Sequence, residues 1–138
     1  MLRHLAAILS AALAVALLDA LWLGWLVRGF VQQQLGPLLL EQPSLVPATL
    51  FYLLYGLGVL VFAIQPALVS GRWQQAATRG VLLGMLCYMT YDLSNLATLK
   101  GWSVPFALVD IAWGGFVTAV AAASGFAAAS RLGAAPRR

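Results

Sequence analysis

The stretch from Leu5 to Val27 reads LAAILSAALAVALLDALWLGWLV, and only Ser10 and Asp19 interrupt its apolar side chains. A helix needs about 20 predominantly apolar residues to cross the hydrocarbon core of a bilayer. This stretch has that length, and Asp19 is its one charged residue. The sequence therefore predicts a membrane-spanning helix near the start of the chain.

The same stretch has some features of a secretory signal peptide. Arg3 and His4 precede the apolar residues, and Ala14-Val15-Ala16 resembles a cleavage site. The apolar region of a signal peptide is only roughly 7–15 residues long, however. Because this one continues to Val27, we interpret it as a helix that the protein keeps.

Three further apolar stretches follow the first one along the chain, and each is long enough to cross a bilayer. Four such helices use most of the 138 residues and leave only short connections. We therefore predict an all-α fold, in which one integral membrane domain over residues 1–138 forms a four-helix bundle. The predicted spans are residues 5–27, 46–69, 76–99 and 104–129.

The composition agrees with this architecture. Hydrophobic residues make up 62% of the chain and charged residues 9%, whereas an ordinary soluble domain has roughly 25% charged residues. A soluble domain of this size could not bury so much apolar surface. The composition excludes a soluble globular protein, a disordered chain and a nucleic-acid-binding module, and it makes membrane lipids the expected partners.

The basic residues predict the topology of the chain. Six of them lie at the chain ends or near the connection between the second and third spans: Arg3, Arg72, Arg79, Arg131, Arg137 and Arg138. The other two connections carry Arg28 and Lys100. Because short cytoplasmic segments are enriched in Lys and Arg, both termini are predicted to lie in the cytoplasm.

The connections contain residues that are typical of turns and helix ends. Residues 29–47 are rich in Gln, Gly and Pro, so the early part is predicted to be a short interfacial helix and the later part a turn. After the third span, Gly101 can end a helix, Ser103 can cap the next helix, and Pro105 fits its first turn. A tight turn is therefore expected there.

Three of the four acidic residues lie inside predicted spans. At a rise of about 1.5 Å per residue, Asp19, Asp92 and Asp110 each fall roughly 9–12 Å below the outer boundary of their spans. Tyr52 and Tyr55 on the second span fall at a similar depth, roughly 8–15 Å. Since a carboxylate that faced lipid there would cost a few kcal/mol or more, these side chains are predicted to face the bundle interior.

Polar and aromatic side chains share helix faces with these aspartates. Tyr88, Asp92 and Asn95 have the spacing of one face, and Tyr91 joins Asn95 on an adjoining face. Ten residues are therefore predicted to line a ligand-binding pocket in the outer half of the bundle: Asp19, Trp22, Tyr52, Tyr55, Tyr88, Tyr91, Asp92, Asn95, Asp110 and Trp113. In the alternative interpretation, the aspartates are hydrogen-bonded packing residues and the tryptophans only fill space.

The first and fourth spans share a short pattern. Asp19, Trp22 and Gly24 form D-x-x-W-x-G, and residues 110–115 repeat this pattern. The two helices are predicted to run in opposite directions. The pattern is therefore either an inverted repeat of the kind found in transporters or a coincidence at three matched positions.

Small residues predict where helices pack closely. Gly80 and Gly84 form G-x-x-x-G on the third span, and the fourth span has an alanine-rich stretch at residues 119–123. Such residues let two helix backbones approach each other in a membrane. We expect the same role for Gly56 and Gly58 on the second span.

Residues that many cofactors require are scarce in this chain. His4 is the single histidine and Cys87 the single cysteine. These counts exclude an intramolecular disulfide and argue against haem, zinc and histidine-based catalysis. Carboxylate oxygens suit Mg²⁺ or Ca²⁺ better than softer metals. No cofactor is predicted, and the sequence leaves a metal site undecided.

Four segments of the sequence are distinctive: Asp19–Leu23, Phe51–Tyr55, Tyr91–Trp102 and Val109–Gly114. Together they resemble DUF2177, a bacterial family of predicted inner-membrane proteins of unknown function, and YDLSNLATLKGW at residues 91–102 is the most specific segment. The resemblance extends from about Leu5 to Phe126. It implies a small four-helix protein of the bacterial inner membrane, and it implies no activity, ligand or catalytic residue.

Three functions compete at this point. In the first, which the aspartates favour, the pocket binds or transports a cation, a proton-coupled solute or a small amphiphile. In the second, paired carboxylates act as acid and base in a membrane enzyme that modifies a lipid or isoprenoid. In the third, small-residue faces pack against another membrane protein. The sequence leaves enzymatic activity undecided, and a homo-oligomer is also compatible with so short a chain.

Overall fold

The computed structural model describes residues 1–133 and is helical over most of them. The helices are α1 Leu2–Leu21, α2 Arg28–Leu35, α3 Leu45–Val59, α4 Gln65–Ser70, α5 Trp73–Thr98 and α6 Val104–Gly133. Two wide π-helical turns, Trp22–Leu26 and Leu60–Ile64, extend α1 and join α3 to α4, and a 3₁₀ turn, Gly36–Leu38, follows α2. The described part of the chain therefore has four long helical segments, at residues 2–26, 45–70, 73–98 and 104–133.

Three of the long segments in the described part of the chain are long and apolar enough to cross a membrane: Leu2–Leu26, Leu45–Ser70 and Val104–Gly133. The fourth, α5, has 26 residues and therefore the length, but it is less apolar because it carries Arg79, Asp92 and Asn95. The predicted all-α fold is confirmed. The fourth membrane crossing stays a prediction.

Helix α6 lies at the centre of the fold. It packs along α5 on one side and along α1 on another, and α1 also packs against α3. Val15, Ile64 and Val117 lie fully buried between these helices. Many of the larger apolar side chains lie on the outer surface instead, as expected of a surface that contacts lipid tails, which are themselves apolar.

Helices α5 and α6 approach each other along a seam of small residues. A Cβ atom added at Gly80 would lie 2.7 Å from the carbonyl oxygen of Thr118. One added at Gly84 would overlap the carbonyl group of Gly114 and the hydroxyl of Thr118. Because packed side chains cannot overlap in this way, the close packing predicted from Gly80 and Gly84 is confirmed.

The two glycines predicted to pack closely on α3 have different environments. A Cβ atom added at Gly56 would lie 2.9 Å from the carbonyl oxygen of Ile8 on α1, so Gly56 permits close packing as predicted. At Gly58 an added Cβ atom would meet nothing within 4 Å. The prediction for Gly58 was wrong, because residues two apart lie on nearly opposite faces of a helix and cannot both face α1.

The connections have the predicted local structure. Helix α2 forms in the early part of residues 29–47, where the sequence predicts a short helix. Between α5 and α6, Gly101 has a φ of 82°, which glycine tolerates best. The hydroxyl oxygen of Ser103 accepts a hydrogen bond from the Phe106 amide at 3.2 Å and so caps α6.

The start of helix α1 lies near the end of helix α6. The guanidinium of Arg3 on α1 lies beside Gly133, the last residue of α6. Both ends of the described chain therefore lie at one end of the structure. Arg137 and Arg138, which also contribute to the predicted topology, lie outside the described residues.

Candidate functional site

A cavity of about 580 Å³ lies at the end of the structure that carries α2 and the α5–α6 turn. All four long segments contribute to its wall, and Val31 and Leu35 of α2 cover one side. Two carboxylates, those of Asp19 and Asp110, and the thiol of Cys87 interrupt a described wall that is otherwise aromatic, aliphatic or phenolic. The wall residues are Asp19, Trp22, Leu23, Val31, Leu35, Leu39, Phe51, Tyr52, Tyr55, Cys87, Tyr88, Tyr91, Phe106, Asp110 and Trp113.

The structure brings eight of the ten predicted site residues together on this wall: Asp19, Trp22, Tyr52, Tyr55, Tyr88, Tyr91, Asp110 and Trp113. The other two, Asp92 and Asn95, lie on α5 but not on the wall. The side chain of Asp92 is fully buried and Asn95 is half-buried. Asp92 directly follows the wall residue Tyr91 along α5, and its side chain points in a direction about 100° away around the helix.

Sequence reasoning missed the aliphatic wall residues, the two phenylalanines and Cys87. Phe51, Cys87 and Phe106 each precede a predicted polar wall residue by four positions, so they share its helix face. These three residues could therefore have been predicted by extending each polar helix face one turn toward the start of the helix. Val31, Leu35 and Leu39 come from the connection after α1, and only the folded structure shows that this connection covers the cavity.

Asp19 is held by side chains from two other helices. The indole Nε1 of Trp113 donates a hydrogen bond to Asp19 Oδ1 at 2.9 Å, and the Tyr52 hydroxyl lies near the same carboxylate. Asp19 is only 7% exposed. A buried carboxylate needs such donors, so α3 and α6 fix the position of this charge at the cavity wall.

The two D-x-x-W patterns meet in space. Trp22 stacks on Trp113 with ring centroids 4.2 Å apart and an angle of 4° between the ring planes, and Trp113 is also the donor to Asp19. The arrangement is not symmetric, because Asp19 is buried whereas Asp110 is only half-buried. The patterns thus connect α6 to the end of α1. The inverted repeat stays one of the two interpretations of the pattern.

The hydroxyl of Tyr55 and the ring of Tyr88 both contact α6. The Tyr55 hydroxyl lies 2.6 Å from the Thr118 hydroxyl, which in turn donates to the carbonyl oxygen of Gly114 at 2.7 Å. Since Thr118 uses its proton there, Tyr55 donates its own proton to Thr118. The ring of Tyr88 lies directly on Gly114, where a Cβ atom would overlap it. The small residues Gly114 and Thr118 of α6 therefore fix the positions of these two tyrosine side chains.

Asp92 contacts the α5–α6 turn. Its Oδ1 accepts a hydrogen bond from the indole Nε1 of Trp102 at 3.2 Å, whereas its buried Oδ2 has no hydrogen-bond partner within residues 1–133. Trp102 packs edge-on against Tyr91 and Phe106, with ring centroids 5.6 Å and 5.8 Å apart. Asp92 therefore does not face the cavity. Its hydrogen bond fixes the ring of Trp102, which packs against the wall residues Tyr91 and Phe106.

Replacing Trp102 with phenylalanine is expected to destabilise the protein by about 1–3 kcal/mol, because a buried carboxylate would lose its donor. Equilibrium unfolding in detergent micelles measures the change. The control is a double-mutant cycle with Asp92→Leu, since removing both partners of a buried hydrogen bond can be nearly neutral. Strict additivity of the two single changes would show that Asp92 and Trp102 do not interact in the folded protein.

Helix α2 is attached to the start of α6. Phe30, Val31 and Leu35 pack around Phe106, with the rings of Phe30 and Phe106 6.4 Å apart. The side chain of Gln34 accepts a hydrogen bond from the Ser103 hydroxyl. The cover of the cavity and the α5–α6 turn therefore form one packed unit.

The three aspartates do not form one ligand set. Among residues 1–133, no group of three His, Cys, Asp or Glu side chains is arranged to hold a metal ion. The carboxylate of Asp110 is within electrostatic range of those of Asp19 and Asp92, but Asp92 is enclosed by the turn. Two of the three aspartates, Asp19 and Asp110, therefore share the cavity wall, and Asp92 does not.

Long apolar helices packed around this cavity define an all-helical membrane protein. Residues 4–127 match the family model described as a predicted membrane protein, DUF2177. Because the match covers nearly the whole chain, the protein belongs to this family, and the resemblance of the four distinctive segments is confirmed. No match was found among curated proteins or among solved structures.

Proposed function

We propose that this protein binds a small amphiphile with a cationic head in the cavity. The observation that carries the proposal is the charge of the wall. Asp19 and Asp110 occur among the described wall residues together with four tyrosines and without a lysine, arginine or histidine. Two carboxylates in an apolar environment attract a cation more strongly than they would in water.

The aromatic residues support the same ligand. Eight of the fifteen wall residues are Trp, Tyr or Phe, and an aromatic face attracts an ammonium group within about 6 Å. The volume of about 580 Å³ falls in the range of roughly 300–1,000 Å³ that small-molecule sites occupy. The aliphatic residues of α2 suit the apolar part of an amphiphile.

The proposed setting is the inner membrane of a bacterium, with α5 as a fourth span. The polar Asp92 on α5 is enclosed by protein, so it does not oppose a membrane position for this helix. The proximity of Arg3 and Gly133 supports an even number of crossings. With both termini in the cytoplasm, the cavity lies toward the outer face of the membrane.

Neutralising both wall carboxylates tests the function. In lipid nanodiscs, the double variant Asp19→Asn/Asp110→Asn is expected to bind decylamine at least tenfold more weakly than the parent, because the ammonium group loses both partners. Decanol, which has no charge, should bind the two proteins equally. A shift of the thermal unfolding midpoint with ligand concentration gives both affinities.

The matched control is Glu41→Gln, which makes the same chemical change at the one acidic residue outside the predicted spans. Glu41 is exposed and does not contribute to the cavity wall, so this variant should bind decylamine as the parent does. Equal affinity of the double variant and the parent for decylamine would contradict the proposed function.

A further inference from the structure

An apolar groove of about 330 Å³ lies on the outer surface between the second long segment and α5. Phe51, Tyr55 and Cys87 line both this groove and the cavity. Gly58 and Leu83 line the groove farther from the cavity. The two spaces therefore adjoin along these three residues.

The groove exists because α3 and α5 do not pack along their full lengths. Helix α5 meets the second long segment mainly at the wide turn Leu60–Ile64 and at α4. Gly58 lies on α3 just before this contact. It provides no side chain to fill the space, since an added Cβ atom would meet no described atom within 4 Å. The absent side chain thus keeps the groove open.

The surface around the groove is apolar. Leu54 and Phe62, which line it, are 66% and 62% exposed, and both belong to a segment that is long and apolar enough to cross a membrane. In a bilayer these side chains contact the lipid tails. The groove therefore opens sideways toward hydrocarbon, whereas the carboxylates lie in the adjoining cavity.

We propose that the ligand is a single-chain cationic amphiphile that enters sideways from the bilayer. Its hydrocarbon chain lies in the groove beside Gly58, and its ammonium head reaches Asp19 and Asp110 past Tyr55 and Cys87. This inference rests on the proposed function for the head and adds the place of the chain. From Phe51 to Phe62 the segment rises about 16 Å, so the groove suits one extended chain.

Two features of the molecule select this occupant. The groove residues are apolar apart from the edge formed by Tyr55 and Cys87, so the part of the ligand in the groove is hydrocarbon. The carboxylates of Asp19 and Asp110 lie on the wall of the adjoining cavity and complement a positive head.

Filling the groove tests the proposal. In nanodiscs, Gly58→Phe is expected to weaken dodecylamine binding at least tenfold, because the new ring occupies the space of the chain. Binding of butylamine, whose chain is too short to extend along the groove, should stay as in the parent. The matched control is Leu57→Phe on the same helix, where the side chain is 45% exposed and lines neither space; it should bind both amines as the parent does.

Cys87 gives a second readout in the unaltered protein. It is the single cysteine of the chain and is exposed where the groove meets the cavity. Bound dodecylamine should slow its alkylation by a bilayer-soluble maleimide at least threefold, and Gly58→Phe should remove this protection. Unchanged alkylation of the parent in saturating dodecylamine would overturn the proposal.

The outcomes separate the two proposals. If Gly58→Phe binds dodecylamine as the parent does while Asp19→Asn/Asp110→Asn still loses affinity, the head site stands and the chain does not lie in the groove. If neither amine binds the parent, or both bind the double Asn variant unchanged, the proposed function fails and this inference fails with it.

Discussion

Replacing Gly84 with alanine is expected to destabilise the protein by about 3 kcal/mol or to prevent its folding. The new methyl group would overlap the carbonyl group of Gly114 and the hydroxyl of Thr118. Overpacking typically costs 1–3 kcal/mol, and about 3 kcal/mol is expected when a backbone blocks the new atom. Relief would require α5 and α6 to separate, and these helices form the most extensive contact of the fold.

The matched control is Gly58→Ala, which adds the same methyl group on α3, where an added Cβ atom meets open space. Because alanine favours a helix over glycine by up to about 1 kcal/mol, this variant should be as stable as the parent or slightly more so. Unfolding of all three proteins in one detergent gives the comparison. Equal stability of Gly84→Ala and Gly58→Ala would contradict the close approach of α5 and α6.

Replacing Trp113 with alanine is expected to destabilise the protein by about 3–5 kcal/mol, the usual range for truncating a buried aromatic residue. Trp113 is 8% exposed and stacks on Trp22 at 4.2 Å. It also donates the hydrogen bond to Asp19. The variant therefore loses packing, stacking and the donor of a buried carboxylate together.

Two control variants separate these contributions to the free energy of unfolding. Trp113→Phe keeps a ring at the position but removes the indole N–H, so about 1–3 kcal/mol should be lost. Trp25→Ala truncates a tryptophan that is 76% exposed and should change stability by less than about 0.5 kcal/mol. If Trp113→Ala were no less stable than Trp25→Ala, this result would contradict the buried position of Trp113 and its contacts with Trp22 and Asp19.

The positions of the helices were predictable because a bilayer demands long apolar stretches, and these leave a clear pattern in the sequence. The grouping of Asp19, Tyr52 and Asp110 on one wall was also predictable from their depth, since lipid excludes charge from the outer faces of helices. These two constraints act on the chain locally, so they can be inferred from the sequence without knowing which helices are neighbours.

The role of Asp92 could not be predicted in the same way. Its spacing from Tyr88 places both on one side of α5, and only the path of the following turn decides what each one meets. That turn, reversed at Gly101, brings Trp102 back onto Asp92. A contact of this kind depends on tertiary geometry, and the same limit applies to α2, whose sequence does not reveal that it covers the cavity.

The wide turns were not predicted either, although one of them shapes the site. A π-helical turn contains one residue more than an α-helical turn, and within an apolar stretch the additional residue has no distinctive side chain. The turn Trp22–Leu26 lies where α1 reaches the cavity and provides Trp22 and Leu23 to its wall. Its location next to the candidate site is typical of such turns.

The additional residue in Trp22–Leu26 has a consequence for comparing members of the family. Each residue turns a helix by about 100°, so a chain with one residue fewer here would lead into α2 from a different direction. Val31 and Leu35 would then no longer face the cavity together. In an alignment, a single-position gap between residues 22 and 26 therefore marks a relative with a different cavity cover, whereas a gap of the same size at Glu41 changes only the length of a loop.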